Sequence, residues 1–234
     1  MVFGARNLGG AIIGHLVEQG WNVAGVARSR ATVESVSARG ALGIEADASQ
    51  AGDVRQALAA AREAFGSVTL TVNAVSAARP PREGPFGGGA LAQADVEDFR
   101  GWTAAVAEQA FVFLSESARA LQAGGGGTVV QVTGGSSRRA MPERGLWSAG
   151  AQATWAMVHA AAQELRADGI HAALLVVYAT IQSPKTASFT RDAGPDELAD
   201  QALIAEAVTY LAGQQPRAWT HELTLTPRGD RWVP

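Results

Sequence analysis

The sequence predicts an α/β protein: a doubly wound, mostly parallel sheet of seven strands with helices on both faces, in one domain spanning residues 1–234. Three observations predict it. Short β-rich runs alternate with longer helical runs along the whole chain, the pattern of a parallel sheet covered on both sides. The chain opens with a strand, a glycine-bearing turn and an amphipathic helix in "MVFGARNLGGAIIGHLVEQG". A length of 234 residues fits one such domain and lets it bury a substantial core without covalent staples.

Taken in order, the strands are expected at Met1–Phe3, Asn22–Ala27, Leu42–Glu45, Thr69–Asn73, Thr128–Thr133, His171–Val177 and Glu222–Leu225. Helices are expected near 8–19, 30–39, 51–65, 95–122, 147–167 and 196–212. The first strand is short, with three residues before Gly4, so either it is reduced or the start is truncated. The run "AALLVVYATI" (172–181) is the longest apolar stretch; it is too short to span a bilayer and reads as a buried strand. The Gly/Pro-rich "SAARPPREGPFGGGALAQ" (76–93) and "ATIQSPKTASFTRDAGP" (179–195) are loops. Both follow strand C-termini, where doubly wound sheets bind ligands.

Composition narrows the function classes. Hydrophobic residues make up 47% and charged residues 18%, as in an ordered globular protein. The net charge of −3, from 19 basic and 22 acidic residues, offers no footprint for nucleic acid or anionic lipid. No signal peptide is recognisable, so a cytoplasmic protein acting on a small-molecule substrate is expected. The absence of cysteine removes disulfides, thiolate metal sites and a thiol nucleophile, and His15, His159, His171 and His221 lack ligand spacing, so no metal site is expected.

The opening strand–turn–helix reads as a dinucleotide site of the Rossmann fold. Backbone amides of such a turn and the helix N-terminus, with its dipole, would face a pyrophosphate, which makes Gly4, Arg6, Asn7, Leu8 and Gly9 cofactor-binding candidates. Asn7 stands near a middle glycine position, and asparagine enters the left-handed region at low cost. A plain structural turn is the alternative. After the next strand an NAD site expects an acid, but "VAGVARSR" supplies Arg28, Ser29 and Arg30. An acid would repel a 2′-phosphate, whereas arginine can pair with it bidentately, which favours NADP(H) over NAD. Solvated charges at a helix start are the other reading.

The order of these pieces resembles the short-chain dehydrogenase/reductase family, over nearly the whole chain. "GARNLGG" is similar to its glycine turn and "VARS" to its NADP-type second strand end. "EADAS" resembles the third strand end, which implies that Asp47 contacts adenine and Ala48 packs on it; Asp47 as a helix N-cap is the alternative. "FGSVTLTVNAVS" resembles the "NNAG" strand, with Asn73 kept and Ala74 and Ser76 in place of the second asparagine and the glycine. "GIHAALLVVYATIQSP" resembles the strand ending in a Pro-Gly turn, here Tyr178-Ala179, and "AWTHELTLTPRG" the closing strand.

The resemblance implies hydride transfer on carbonyl/alcohol pairs, with a tyrosine as proton donor, a lysine that lowers its pKa, an orienting serine and a supporting asparagine. Here the tyrosine's place is Trp147, the lysine's is Ala151, the serine's falls on Gly134-Gly135 and the asparagine's near Ala107. The chain is thus identified as a divergent member lacking the Ser-Asn-Tyr-Lys set. An indole donates one hydrogen bond but has no usable proton equilibrium in water.

Substitute catalytic candidates are Ser136, Trp147 and Tyr178. Tyr178 could reach a substrate or close a pocket wall by packing, and Ser136 could orient a carbonyl or be a plain loop serine. Trp147 could stack on a planar substrate or fill the hole left by the tyrosine and lysine. Arg138 and Arg139 could clamp an anion or be solvated loop charges.

Helices 95–122 and 147–167 are alanine-rich with few charges, and the resemblance implies that they form a homodimer or homotetramer interface. His159 then reads as an interface or core histidine. Three functions stay open: an NADP(H)-dependent oxidoreductase acting on a carbonyl, imine or activated double bond; a redox-silent homologue running a cyclisation, isomerisation or elimination; and a non-catalytic NADP-binding protein.

Overall fold

The computed structural model describes residues 1–75, 85–188 and 190–230, so positions 76–84 and 189 of the two expected loops lie outside the described residues, as does Ser76. The strands are β1 (Val2–Phe3), β2 (Ala24–Ala27), β3 (Leu42–Glu45), β4 (Leu70–Asn73), β5 (Gly127–Gly134), β6 (Ile170–Val177), β7 (Thr180–Ile181), β8 (Leu198–Ala199) and β9 (Glu222–Leu225). The helices are α1 (Asn7–Glu18), α2 (Arg30–Ser37), α3 (Ala51–Phe65), α4 (Val96–Thr103), α5 (Gln109–Gly124), α6 (Gly145–Glu164) and α7 (Gln201–Ala212).

Seven strands form one sheet in the order β3-β2-β1-β4-β5-β6-β9, with every neighbouring pair parallel. The chain winds outward from β1 in both directions. The switch therefore falls between β1 and β4, where the C-terminal strand ends open a crevice.

Successive residues of a strand point to opposite faces, so each buried strand feeds two cores. Phe3, Val129, Leu174 and Val176 join Val54, Phe113, Leu121 and Val158 of α3, α5 and α6. Val2, Val130, Leu175 and Val177 join Ile12, Ile13, Leu16, Ile204 and Val208 of α1 and α7. Every residue of β6 is buried, which explains the apolar run that follows His171.

Four expectations need correction. The stretch expected as a loop at 179–195 carries β7 at Thr180–Ile181. The single helix expected at 95–122 is divided: α4 passes into a π turn at Ala104–Glu108 before α5. The backbone stays right-handed helical throughout, so no glycine–proline punctuation marks the break in the sequence. The helix expected from 196 begins at Gln201, because Leu198–Ala199 pair with Thr180–Ile181 and the Asp200 carboxylate caps the Ala202 N–H. The helix expected at 147–167 runs from 145 to 164, and a 3₁₀ turn follows at Arg166–Asp168. Among the described residues no helix is long and apolar enough to cross a membrane.

His171 is the second residue of β6, at the far end of the sheet from the crevice. It is 1% exposed, stacks on Trp219 with ring centroids 5.2 Å apart, and donates from Nε2 to the Thr220 carbonyl. Burial holds its pKa below the usual histidine value, outweighing the carbonyls of Thr220 and Leu211. The unfolded chain takes up this proton near pH 6.5, whereas the folded chain does so only at lower pH. The stability this histidine contributes is therefore complete above that value and is lost as pH falls below it. We expect the melting temperature to drop between pH 7.5 and 5.5, with a shallower slope in His171→Phe, as read by circular dichroism melts across that range.

Candidate active site

The turn between β1 and α1 is tightly packed at the crevice. Gly4 has φ 84° and Asn7 φ 45°, so the asparagine does occupy the left-handed region. A Cβ at Gly4 would lie 2.7 Å from the Val75 nitrogen, and one at Gly9 would lie 2.2 Å from the Gly4 oxygen. The Gly4 and Ala5 amides donate to the Val26 carbonyl, and the Ala74 amide to that of Phe3, which fixes the turn against β2 and β4. Leu8 is buried beneath it. Arg6 caps α1 without a side-chain bond, and no acidic residue stands in the first turn. The amides and dipole of a helix start of this kind favour negative charge.

Arg28 and Ser29 follow β2, and Asp47 and Ala48 follow β3, so all four lie beside the turn at the same sheet edge. The Arg28 side chain is 70% exposed and its Nη1 stands 3.8 Å from Asp47 Oδ2. Such an exposed pair is worth about 0–1 kcal/mol, so Arg28 is readily released to a stronger anion. Arg30, by contrast, is paired with Glu34 one helical turn on. Asp47 is not a helix N-cap: its Oδ1 accepts from the Ser49 amide and hydroxyl, and Gln50 holds the cap position of α3.

Asn73, expected to touch a cofactor, is fully buried instead. Its Nδ2 donates to Gln109 Oε1 and Gln131 Oε1, both at 2.9 Å, and its Oδ1 accepts from the Val75 amide. Gln109 Nε2 also donates to the Ala48 carbonyl. The three amides tie β4, β5, α5 and the loop after β3 together beneath the crevice floor, with Asn73 as a positioning residue. Gln109 and Gln131 were missed by the sequence reading; the only signal was a glutamine within an apolar strand and another within an apolar helix face.

The other end of the crevice is aromatic. Trp147, on the first turn of α6, is half-buried. Its ring meets that of Phe86 at 4.5 Å and 76°, and that of the buried Trp102 at 6.3 Å and 33°. Its amide donates to the Gly87 carbonyl, so residues 85–89 lie over the helix start. Ala151 is buried one turn further on. Gly150 lets α6 approach the π turn: a Cβ there would sit 2.9 Å from Val106 Cβ. Ala107 lies within that π turn, a backbone irregularity frequent at functional sites.

Ser136 and Ser137 are buried in a 3₁₀ turn after β5, and Ser137 Oγ donates to the Gly134 carbonyl. Tyr178 stands over this turn, its ring so close that a Cβ at Gly135 would lie 2.2 Å from it. The phenyl ring thus packs as a wall against Gly135. Arg138 cannot serve as an anion clamp, because it is paired with Glu222. That carboxylate also accepts from Trp155 Nε1 and bonds His159 Nε2 at 3.0 Å. Burial and the nearby Arg138 hold His159 below the usual histidine range. Arg139 lies exposed beside Arg138. Among the described residues no cluster of metal ligands occurs.

A family model described as enoyl-(acyl carrier protein) reductase matches residues 3–220. An Arabidopsis thaliana protein described as NADPH-dependent aldehyde reductase-like, chloroplastic, is 28% identical over 185 residues, covering 72% of this chain. The match spans 66% of that protein's length. An alcohol dehydrogenase from Thermococcus sibiricus, complexed with 5-hydroxy-NADP, superposes with a TM-score of 0.78 at 23% identity, covering 100% of this chain and 98% of its own. A 3-ketoacyl-(acyl-carrier-protein) reductase from Brucella melitensis, complexed with NADH, superposes with a TM-score of 0.81 at 21% identity, covering 97% and 96%. At these identities the superpositions speak to the fold.

Replacing Gln131 by leucine removes one acceptor from the buried Asn73 amide. A buried donor left unpaired costs about 1–3 kcal/mol. We expect Gln131→Leu to lower the unfolding free energy by that amount, read in equilibrium urea unfolding as a lower midpoint with an unchanged slope.

Proposed function

The chain belongs to the short-chain dehydrogenase/reductase family, and from that premise we propose that it is an NADP(H)-dependent oxidoreductase with a rebuilt catalytic end. Its substrate would be a small, planar molecule bearing a carbonyl, imine or activated double bond. The observation that carries this reading is the glycine turn with an uncapped helix start beside a loosely held Arg28.

The residues present fit the adenosine and pyrophosphate half of the cofactor. Gly4 and Gly9 keep the turn tight against the end of β4, Asn7 takes its left-handed position, the amides of Arg6, Asn7 and Leu8 head α1, and Arg28 with Ser29 would meet a 2′-phosphate. Ala74 borders the turn, while Asp47 and Ala48 line the adenine side. The description of the Arabidopsis relative as NADPH-dependent, and the NADP-type ligand of the Thermococcus neighbour, support the same assignment.

When bound, the dinucleotide supplies or accepts a hydride. The chain's own residues then decide which acceptors are served. Ala151 offers no charge to hold a ribose or lower a neighbouring pKa, and Trp147 offers an N–H donor without a transferable proton. Loss of an acid–base group typically costs about 10²–10⁴ in rate, so a plain ketone or aldehyde is a poor substrate. An iminium or an activated double bond needs less proton assistance, and the enoyl reductase description of the family model supports the latter. Tyr178 is the remaining phenol near the β6 end, and Ser136 the remaining hydroxyl at the β5 turn.

A redox-silent use of the pocket is the second reading, favoured by the packing of Phe86 and Trp102 on Trp147. A non-catalytic NADP-binding role is the third. The assembly belongs to the same proposal: Phe99 and Phe111, on α4 and α5, are 45% and 56% exposed, and would be covered in a homodimer or homotetramer built with α6. The cytoplasmic location expected from the sequence also stays a proposal.

Thermal-shift titration tests the cofactor. We expect NADPH to raise the melting temperature more than NADH, and Arg28→Ala to weaken NADPH about 10–100-fold while NADH changes little. Equal loss for both cofactors would refute the 2′-phosphate role, and no shift with either would remove the oxidoreductase and non-catalytic readings together. For the chemistry, NADPH oxidation is followed with aldehydes, enones and imines; turnover of enones or imines at least tenfold above aldehydes is expected. Tyr178→Phe should leave that rate unchanged, and a loss of more than tenfold would make the phenol the acid.

A further inference from the structure

We propose that Phe86, Trp102 and Trp147 form a slot for a planar aromatic acid, held closed in this structure by the ring of Phe86. The inference rests on reading the α6 start as the substrate side of the site, and names the ligand class it takes.

Four observations point to an occupant beyond the chain itself. Phe86 is a large apolar residue that stays 39% exposed while its ring stands edge-on to both indoles, at 4.5 Å from Trp147 and 5.8 Å from Trp102. The two indoles are tilted by 33° with centroids 6.3 Å apart, and the ring of Phe86 packs against both. Trp102 is 1% exposed, yet its Nε1 has no hydrogen-bond partner among the described residues. A buried donor without an acceptor is costly and rare, and a ligand oxygen would satisfy it. Finally, the Arg144 guanidinium lies 5.5 Å from the centroid of the Phe86 ring and is in no ion pair among the described residues.

The ring of Phe86 therefore stands where the aromatic body of a ligand would be, with a cation beside it where a carboxylate would be. The backbone explains how the ring is held. Gly87, Gly88 and Gly89 all have positive φ, at 91°, 98° and 72°, and side chains at the first two would collide with Arg144 and Leu146. The Gly87 carbonyl accepts from the amide of Trp147, so this strap is fastened to the slot's own wall. Displacing Phe86 breaks edge-to-face contacts and a cation–π contact but no charge pair, so an aromatic ligand that restores them can exchange for it.

The test uses 2-naphthoate, with 2-naphthylmethanol and cyclohexanecarboxylate as controls, titrated calorimetrically into the full chain with and without NADPH. Wild type should bind 2-naphthoate more tightly than either control. Phe86→Ala should tighten 2-naphthoate by about twofold to about tenfold, the range one aromatic pair represents. Phe86→Leu, which keeps the strap packed, should shift it in the same direction. Arg144→Gln should weaken 2-naphthoate about tenfold and leave 2-naphthylmethanol unchanged, and Trp147→Phe should weaken both. Unchanged or weaker binding in both Phe86 variants, or equal losses for both ligands in Arg144→Gln, would overturn the proposal. Stabilisation by NADPH without any 2-naphthoate binding removes the slot alone. Binding of 2-naphthoate without stabilisation by either nucleotide removes the oxidoreductase reading and leaves the slot.

Discussion

The contact between Gly4 and Gly9 is the constraint on which the rest of the site depends. The Gly4 carbonyl occupies the place where any side chain at position 9 would stand, and Gly4 itself abuts Ala74 and Val75 at the end of β4. Only a turn this tight brings the α1 start down over the switch between β1 and β4. The helix is then held in place by Ile12, Ile13 and Leu16, buried against the sheet. A second close approach, of Gly25 to the Ile13 side chain, lets β2 pass under the same helix. Beneath the floor, the amides of Asn73, Gln109 and Gln131 join β4 to β5 and α5, so the crevice walls cannot shift independently. A buried network with each member satisfied adds rigidity where an unsatisfied one would cost stability.

The two ends of the crevice follow different rules. The α1 end is built from backbone: amides, glycines and one loosely paired arginine, groups whose chemistry suits phosphate. The α6 side is built from indole and phenyl rings, which recognise shape and planarity and carry no proton equilibrium. We read the first as an inherited nucleotide site and the second as a rebuilt substrate site. The π turn at Ala104–Glu108 and the close approach of Gly150 to Val106 shape the backbone of that second site.

Much of this was legible in the sequence, for a physical reason. Parallel strands buried on both faces appear as apolar runs, and a turn needing positive φ appears as glycine or asparagine, so the seven strands and the placement of Gly4, Asn7 and Gly9 could be read directly. What stayed hidden depends on contacts distant along the chain. Asn73 meets Gln109 and Gln131 across separations of 36 and 58 residues, so its burial could not be seen locally, and it read as a cofactor contact. Arg138 read as a possible anion clamp because Glu222, 84 residues on, gives no local sign of pairing with it. The π turn left no mark either, since its residues are ordinary helix formers, and Phe86 lay in a stretch whose composition announced only a loop.

The central claim is that a phosphate-recognising half and an aromatic half share one crevice. A crystal structure grown with NADPH tests it most directly. The account predicts pyrophosphate at the amides of the α1 start, the 2′-phosphate on Arg28 with its link to Asp47 released, and the nicotinamide end directed toward Trp147. A nucleotide bound elsewhere, or a 2′-phosphate turned away from Arg28, would contradict it.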